Sequence, residues 1–306
     1  MITTLHNMNE LKDHDFMIFE ILCLELCNLH CTYCYMRNDS PTWESFYFKK
    51  NIIKIIDFIA SELSHHNPSI CLSGGECTLH PNFIDFVKLI DKYIQNKKLR
   101  DIHINTNLSL SKEKIQEVID INKDCWWHVS YHIETDVDEF FEKILYLHNQ
   151  GQHIEFNIMI HPAAKYKDKI DKLIELAKSH NIDFYLKPVY INATYKPTKY
   201  VMDILEIYKD DAKKEYIDNN KKQYNDYDLL KGNLVPMDTK GWDCYYSFFT
   251  IRADDGKIKQ MCRLFPELNL FKDIEFFKNY DLSKPVTCTM DYCLWASSLD
   301  QYKERK

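Results

Sequence analysis

Short apolar runs alternate with longer amphipathic segments through the first two thirds of the chain. The apolar runs predict six β-strands, over residues 16–22, 69–73, 101–105, 125–131, 153–160 and 183–188. Apolar residues at helical spacing predict helices between them, over 43–64, 83–94, 111–121, 136–149 and 165–179. Asn82 and Ser111 are the expected N-caps of two of these helices. Such an alternation is typical of a parallel sheet with helices outside it.

The pattern changes after Pro188. Residues 197–224 are polar and lysine-rich, and they predict a helical stretch without a catalytic signature. Two apolar runs then flank Asp254-Asp255-Gly256, which is a strong β-hairpin signal. We therefore divide the chain into a lead-in (1–15), a βα core (16–196), a helical connection (197–241) and a small C-terminal domain (242–306).

Composition and charge narrow the class of protein. Of the 306 residues, 45% are hydrophobic, which is ample for a core. The net charge of −7 gives no basic field for nucleic acid, so a nucleic-acid partner is disfavoured. No apolar run is long enough to span a membrane, and residues 1–15 lack the pattern of a signal peptide. We expect a cytoplasmic protein, in which 11 cysteines favour metal centres over disulfides.

Three of these cysteines follow the first predicted strand directly. Cys27, Cys31 and Cys34 form a C-x3-C-x2-C pattern. Three thiolates can hold three corners of a cubane iron–sulfur cluster, whose irons are otherwise held by four cysteines. The fourth iron would then be open to a small molecule. A zinc site of these thiolates and His30 is the alternative, although His30 would have to bend back sharply between two ligands.

With Tyr33 just before the third cysteine, the motif resembles the signature of the radical S-adenosylmethionine (SAM) superfamily. The resemblance implies that SAM binds the open iron of a [4Fe-4S] cluster, with Tyr33 packed near its adenine. It implies reductive cleavage of SAM to a 5′-deoxyadenosyl radical that abstracts a substrate hydrogen, with electrons from a flavodoxin or ferredoxin. It also implies an α/β fold, a partial (β/α)6 TIM-like barrel with the chemistry at the C-terminal strand ends.

A glycine pair follows the second predicted strand. Gly74, Gly75 and Glu76 match the Gly-Gly-Glu that binds the methionyl amino group of SAM in that superfamily. The resemblance assigns close backbone approach to Gly75 and acceptance of hydrogen bonds from the ammonium to Glu76. Without the resemblance, a tight strand-to-helix connection would account for the glycines. Cys77 comes next and is expected near the rim of the active site.

Further candidates end the later strands. Asn107 resembles the middle residue of the superfamily's Thr-Asn-Gly, except that Leu108 replaces the glycine. Ser130 stands where a serine often binds the ribose of SAM. His132 is a candidate for binding the carboxylate or ribose of SAM or the substrate, and the alternative is a surface histidine. Lys187 is a candidate for holding an anionic substrate group or acting as a base, and the alternative is a solvated lysine. Weaker candidates follow on the fifth strand and at its end: Asn157 and His161.

A second set of cysteines lies in the C-terminal domain. Cys244 and Cys262 sit at the outer ends of the predicted hairpin, and Cys288 and Cys293 follow in a stretch that can fold back as a helix. Four thiolates suffice for an auxiliary [4Fe-4S] cluster. The arrangement resembles the twitch domain, a shortened relative of the SPASM domain of radical SAM enzymes. A structural four-thiolate zinc site or plain buried thiols are the alternatives.

The leading functional hypothesis is an oxidoreductase. The auxiliary cluster would take an electron while a small-molecule or natural-product substrate is dehydrogenated. One alternative is an epimerase or cyclase acting on a peptide or sugar-like substrate, with Cys77 or Cys125 returning a hydrogen atom. Another is a non-enzymatic iron–sulfur electron carrier. Because only 26 residues precede Cys27, we expect a small-molecule substrate rather than a leader-dependent peptide.

Overall fold

The computed structural model describes residues 4–7, 16–34, 49–189, 197–214, 216–218, 223–231, 240–259, 266–289 and 302–305. Its strands are β1 (Thr4–Asn7), β2 (Ile18–Leu24), β3 (Ser69–Gly74), β4 (Ile102–Thr106), β5 (Trp126–Tyr131), β6 (His153–Ile160), β7 (Tyr185–Pro188), β8 (Tyr216–Asp218), β9 (Gln223–Tyr224), β10 (Trp242–Tyr245), β11 (Phe248–Arg252), β12 (Ile258–Lys259), β13 (Val286–Thr287) and β14 (Tyr302–Arg305). Its helices are α1 (Lys49–Glu62), α2 (Phe83–Gln95), α3 (Lys112–Ile121), α4 (Val137–Asn149), α5 (Lys167–Ser179), α6 (Lys199–Tyr208), α7 (Asp226–Lys231) and α8 (Ile274–Lys278).

Strands β2 to β7 form the parallel sheet that the sequence predicts. They lie side by side in chain order, each parallel to the next. Helices α1 to α5 connect consecutive strands from β2 to β7, and their ends agree with the predicted ends to within a few residues where those residues are described. The predicted fold class, a partial α/β barrel, is confirmed.

Alternate burial along the strands separates a helix-packed face from an interior face. On β5, Trp127 and Val129 are fully buried in the core formed with the helices, whereas Trp126, His128 and Ser130 point to the other side and are only half-buried. A strand places successive side chains on opposite faces, so these three residues face the interior of the barrel. Each fully buried aliphatic side chain on the helix face contributes roughly 1.5–3 kcal/mol to folding.

A C-terminal hairpin is present around the predicted turn, and its first strand extends the barrel sheet. The prediction that Cys244 lies at the outer end of this hairpin is wrong, because Cys244 is on β10, which pairs in the other sheet. Strand β11 pairs antiparallel with β12 and parallel with β2. The Thr250 hydroxyl on β11 donates a hydrogen bond to the Glu20 carboxylate on β2 at 2.6 Å. Within the described residues the sheet therefore runs β12-β11-β2-β3-β4-β5-β6-β7, with one more parallel strand than predicted.

A second, antiparallel sheet joins segments that are distant in the sequence. Its order is β13-β10-β14-β1-β8-β9. The helix predicted for residues 197–224 is wrong beyond α6, because β8 there pairs with β1 and with β9. Cys288 directly follows β13 rather than lying on a helix, because that segment pairs with β10. In both places pairing with a distant strand overrides the local preference.

The two predicted N-caps differ in outcome. Ser111 accepts a hydrogen bond from the Lys114 backbone N–H at 3.4 Å and caps α3 as predicted. The prediction for Asn82 is wrong, because its side chain makes no capping bond to α2 and instead donates to the Asp85 carboxylate at 3.2 Å.

None of the helices in the described ranges combines the length and the hydrophobicity that a membrane-spanning helix requires.

Candidate functional site

The cysteine loop begins where β2 ends, and two glycines of the neighbouring strand end hold its first residues. The backbone N–H of Gly75 donates to the Leu24 carbonyl at 2.6 Å. A Cβ on Gly74, whose φ is +143°, would lie 2.1 Å from that carbonyl oxygen, and a Cβ on Gly75 would lie 2.5 Å from the Leu26 oxygen. Both contacts are far too short for any side chain. The close approach at Gly75 is thus made to the segment entering the cysteine loop; its predicted contact with SAM stays a prediction.

Glu76 ties the ends of two barrel strands together. Its side chain is 1% exposed, and its carboxylate accepts hydrogen bonds from the Thr78 hydroxyl at 2.5 Å, the Thr106 hydroxyl at 2.7 Å and the Asn107 backbone N–H at 2.6 Å. Burial raises the pKa of this carboxyl, while the hydrogen bonds favour its ionised form. The structure thus gives Glu76 an anchoring role at the site. Its predicted contact with the ammonium of SAM stays a prediction.

Glu76→Ala is expected to destabilise the protein by on the order of 3 kcal/mol, because several buried donors lose their acceptor. Urea unfolding of the cluster-free protein, followed by circular dichroism, measures this. Glu142→Ala is the matched control: Glu142 is 68% exposed, so its ion pair with Lys112 contributes little. An equal loss of stability in the two variants would contradict the anchoring role.

Asn107 connects the end of β4 to the cysteine loop. Its amide nitrogen donates to the Asn28 side-chain oxygen at 3.0 Å and lies 3.5 Å from the Cys27 sulfur. Its side-chain oxygen accepts from the Ser109 hydroxyl. Asn107 therefore lies beside a predicted cluster ligand. Its predicted contact with SAM stays a prediction.

Leu108 shows why the superfamily motif has glycine at this position. Its φ is +62°, the left-handed conformation that glycine adopts freely and that costs other residues roughly 1–2 kcal/mol. The side chain is 1% exposed, and burying a leucine contributes roughly 1.5–3 kcal/mol. Burial therefore offsets the backbone cost, and the turn keeps its shape without glycine.

Two of the three cysteines of the loop lie where the thiol is favoured over the free thiolate. Cys31 is 6% exposed, and its sulfur donates to the Glu134 carboxylate at 3.2 Å. Burial raises the pKa of the Cys27 thiol and, with the Glu134 carboxylate, raises that of Cys31 to about 12. Such thiols stay protonated at neutral pH unless a cation is bound, and a metal centre deprotonates them. Cys27, Cys31 and Cys34 supply the sulfur donors that an iron–sulfur cluster takes, and Cys27 and Cys31 would release their protons on binding it.

Among the described residues, which include all of 27–34, no three His, Cys, Asp or Glu side chains converge as one ion requires. His30 is exposed, which does not support the zinc alternative. The thiolates of a cubane cluster each bind a different iron, so convergence on one point is not needed.

Tyr33 lies between two histidines from neighbouring strand ends. Its hydroxyl is 2.8 Å from Nδ1 of His132, and its ring centroid is 5.9 Å from the His132 ring and 5.7 Å from the His161 ring. His161 accepts from the Ala163 N–H at Nδ1, so Nε2 of the neutral ring faces the Thr32 hydroxyl at 3.5 Å. Burial lowers the pKa of both imidazoles, in agreement with neutral rings. The structure thus brings His132 to the cysteine loop rather than to the outer surface.

The other predicted residues lie at different depths. Ser130 is half-buried on the interior face, opposite Asn157 of β6. Lys187 lies on β7 with its ammonium 5.7 Å from the centre of the Tyr185 ring. Cys77 is fully buried, and its sulfur donates to the Asn105 carbonyl at 3.3 Å, so it does not lie at the rim of the active site as predicted.

Of the second set of cysteines, the structure describes Cys244 and Cys288. Cys262 and Cys293 lie outside the described residues.

Sequence reasoning missed a row of polar side chains across the barrel interior. Asp101, His103, His128 and Glu155 form a continuous hydrogen-bonded chain, with contacts of 3.0, 2.8 and 2.9 Å. Strands buried on both faces usually carry continuous apolar runs. Isolated polar residues at alternate positions of three predicted strands were therefore the signal in the sequence for a polar face inside the barrel. Glu134, which contacts Cys31, was also missed.

Comparison with known proteins agrees with this geometry. The family model of the Radical SAM superfamily matches residues 21–210, so the chain belongs to the radical SAM superfamily of enzymes. SuiB of Streptococcus suis, solved bound to S-adenosylmethionine, is 15% identical, with a TM-score of 0.51 over 90% of this chain and 69% of that one. anSMEcpe, solved with AdoMet and the Cp18Cys peptide, is 14% identical, with a TM-score of 0.56 over 87% and 80% of the two chains. At these identities the likeness shows the fold. A search of curated protein sequences gave no match.

Proposed function

We propose that this radical SAM enzyme oxidises a small-molecule substrate, with an auxiliary [4Fe-4S] cluster as the electron acceptor. When bound, SAM and the cluster on Cys27, Cys31 and Cys34 supply the 5′-deoxyadenosyl radical that removes a hydrogen atom from the substrate. An external reductant such as a flavodoxin or ferredoxin would supply the electron for this cleavage. The observation that carries the oxidation hypothesis is the placement of Cys244 and Cys288.

The pairing of β10 with β13 supports a second cluster. Cys244 is opposite Val286, and the Cys288 backbone N–H donates to the Trp242 carbonyl at 2.7 Å, which places Cys288 opposite Trp242. Residues two apart on a strand share a face, so Cys244 and Cys288 are diagonal neighbours on one face of the ladder. Diagonal neighbours lie roughly 7–8 Å apart, a spacing that lets two thiolates bind different corners of one cluster. We propose that Cys262 and Cys293 complete it.

The protein's own residues would bind and orient the reactants. We propose that Gly74, Gly75 and Glu76 receive the methionyl part of SAM, as the superfamily motif implies. Tyr33, Asn107 and Ser130 would contact its nucleoside and the cluster surroundings. His132 and Lys187 are the proposed polar groups for substrate binding or proton transfer. The modest net charge of −7 supports a small molecule over a nucleic acid as the substrate.

The epimerase alternative requires a thiol that can reach the substrate radical. Cys77 and Cys125 are both fully buried, and Cys77 donates to backbone carbonyls within the core. Burial raises the pKa of both thiols. These observations do not favour hydrogen return from either cysteine, so oxidation remains the better-supported proposal. Membership of an enzyme superfamily argues against a simple electron carrier.

Cys244→Ala and Cys288→Ala are each expected to lower bound iron by about four atoms per chain, because the auxiliary cluster loses one of its four proposed ligands and, unlike the loop cluster, has no SAM assigned to the open iron. SAM cleavage without substrate should persist, since the first cluster is untouched. Iron analysis of anaerobically reconstituted protein and chromatography of 5′-deoxyadenosine measure the two effects.

Cys125→Ala is the control, because it also removes a cysteine, but one that is fully buried in the barrel core and is not a proposed cluster ligand. It should retain wild-type iron. Unchanged iron in the Cys244 and Cys288 variants, or zinc in the wild-type protein at that position, would rule out the auxiliary cluster.

A further inference from the structure

We propose that Asn157 recognises the substrate: its side-chain oxygen accepts a hydrogen bond from a hydroxyl or amino group of a molecule bound inside the barrel. This inference rests on the proposed function and adds a chemical class of substrate to it. Three conditions must hold. The Asn157 side chain must face the barrel interior, its oxygen rather than its nitrogen must point towards a bound molecule, and this oxygen must have no hydrogen-bond partner within the described part of the protein.

The register of the sheet places Asn157 inside the barrel. On β6, Asn157 is opposite Ser130 of β5 and Tyr185 of β7. Its chain neighbours Phe156 and Ile158 are fully buried in the core on the helix side. Since successive side chains of a strand alternate between faces, the Asn157 amide lies on the interior face.

The neighbouring carboxylate fixes which end of the amide is offered. The Asn157 nitrogen donates to Oε1 of Glu155 at 2.9 Å. An ionised carboxylate can only accept hydrogen bonds, so the NH2 group must face Glu155 and the amide oxygen must point away from it. The orientation of Asn157 therefore depends on Glu155 remaining ionised.

Two histidines keep Glu155 ionised. Nδ1 of His128 lies 2.9 Å from Oε2 of Glu155, and Nε2 of the same ring lies 2.8 Å from Nδ1 of His103. Nε2 of His103 in turn lies 3.0 Å from Oδ1 of Asp101. Burial acts to raise the pKa of both carboxyls, but the His128 contact holds the pKa of Glu155 below its ordinary value and the His103 contact does the same for Asp101, so both are ionised and only accept. Each of the three contacts therefore takes its hydrogen from a ring nitrogen. The two rings together therefore carry three hydrogens on four nitrogens, which is one positive charge between two carboxylates. This cation pairs with Glu155 and holds it as an acceptor.

The Asn157 oxygen is buried and has no hydrogen-bond partner in the described part of the protein. The residue is 8% exposed. An unpartnered buried acceptor is unfavourable, and few occur in folded proteins without a reason. Only a donor satisfies it, so a ligand that takes the place of water at this oxygen keeps it satisfied only through a hydroxyl or amino group; an ether or a hydrocarbon would leave it unpartnered.

The ribose of SAM also carries hydroxyl groups, so the test has to separate it from the substrate. We assign the donor to the substrate, because the superfamily resemblance already assigns the ribose to Ser130 on the neighbouring strand. Equilibrium SAM binding to an Asn157 variant distinguishes the two sources. If the ribose were the donor, SAM affinity would fall.

The experiment uses Asn157→Leu, which keeps the approximate side-chain volume and removes the amide. Reconstituted protein is reduced with dithionite in the presence of SAM and one of two probes: glycerol deuterated at carbon, or perdeuterated 1,2-dimethoxyethane, which lacks donors. The readout is the fraction of 5′-deoxyadenosine that carries deuterium. In the wild type we expect about tenfold more label from glycerol than from the ether, the effect of one hydrogen bond. In Asn157→Leu this preference should disappear, with SAM affinity within about twofold of wild type.

Tyr200→Phe is the matched control, because the Tyr200 hydroxyl is likewise buried without a partner but lies on α6. It should keep the preference for glycerol. The melting temperature of cluster-free Asn157→Leu should stay within about 4 °C of wild type, which shows that the fold is intact.

Three results would overturn the inference: equal labelling from both probes in the wild type, a preference retained in Asn157→Leu, or weakened SAM binding, which would assign the donor to the ribose. Absence of any 5′-deoxyadenosine from the wild type would instead refute the proposed function itself, on which the inference rests.

Discussion

Cys31→Ala is expected to abolish SAM cleavage. Cys31 is the central and most buried cysteine of the loop, and its removal would leave two thiolates where a cluster with one open iron needs three. Cys27→Ala and Cys34→Ala should have the same effect. The measurement is 5′-deoxyadenosine formed by dithionite-reduced, reconstituted protein, with bound iron determined in parallel.

The matched control for this loss is Cys23→Ala. Cys23 lies four residues before Cys27, is 1% exposed, and donates to the Ile21 carbonyl at 3.3 Å, so it is a buried thiol of the same segment that is not a predicted ligand. This variant should retain the first cluster and SAM cleavage. Turnover that survives in Cys31→Ala would refute the ligand assignment.

Gly75→Ala is expected to lower iron in the first cluster and SAM cleavage together, by at least about tenfold. The added methyl group would lie 2.5 Å from the Glu25 and Leu26 carbonyl oxygens, both backbone atoms that cannot turn aside. The segment leading to Cys27 must therefore move. Gly74→Ala adds a methyl group 2.1 Å from the Leu24 oxygen and should act in the same way.

Gly151→Ala separates this effect from the general cost of replacing a glycine. Gly151 has a φ of +68°, yet a Cβ there would meet nothing within 4 Å. The control should therefore cost roughly 1 kcal/mol of stability and leave iron content unchanged. If Gly75→Ala binds iron as well as Gly151→Ala does, the packing of the glycine pair against the loop has no role in holding the cluster.

The barrel and its cysteine loop could be predicted from the sequence because their signals are local. Strand β6 begins and ends at the predicted residues, and the Ser111 cap needs only residues within one helical turn. The cysteine spacing and the Gly-Gly-Glu are likewise read within a few residues. The superfamily resemblance then supplied roles that the residues alone left open.

The second sheet could not be predicted because its strands are short and pair with distant segments. Strand β1, near the start of the chain, pairs with β8, about 210 residues later, and with β14, near the end of the chain. The interior chain of polar residues was missed for a related reason. His103 and His128 are single polar residues in apolar strands, and their 2.8 Å contact exists only once the register of β4 and β5 is fixed. Leu108 was noted as a departure, but its left-handed backbone needed the structure.

The most direct test of the central claim is electron paramagnetic resonance of the reduced, reconstituted Cys244→Ala variant with and without SAM. Because this variant is expected to lose the auxiliary cluster, the remaining signal should come from the cluster on the cysteine loop. An iron–sulfur signal that changes when SAM is added is the predicted result, because SAM binds the iron that Cys27, Cys31 and Cys34 leave open. A spectrum unaffected by SAM, or protein that holds zinc and no iron–sulfur signal, would contradict the account.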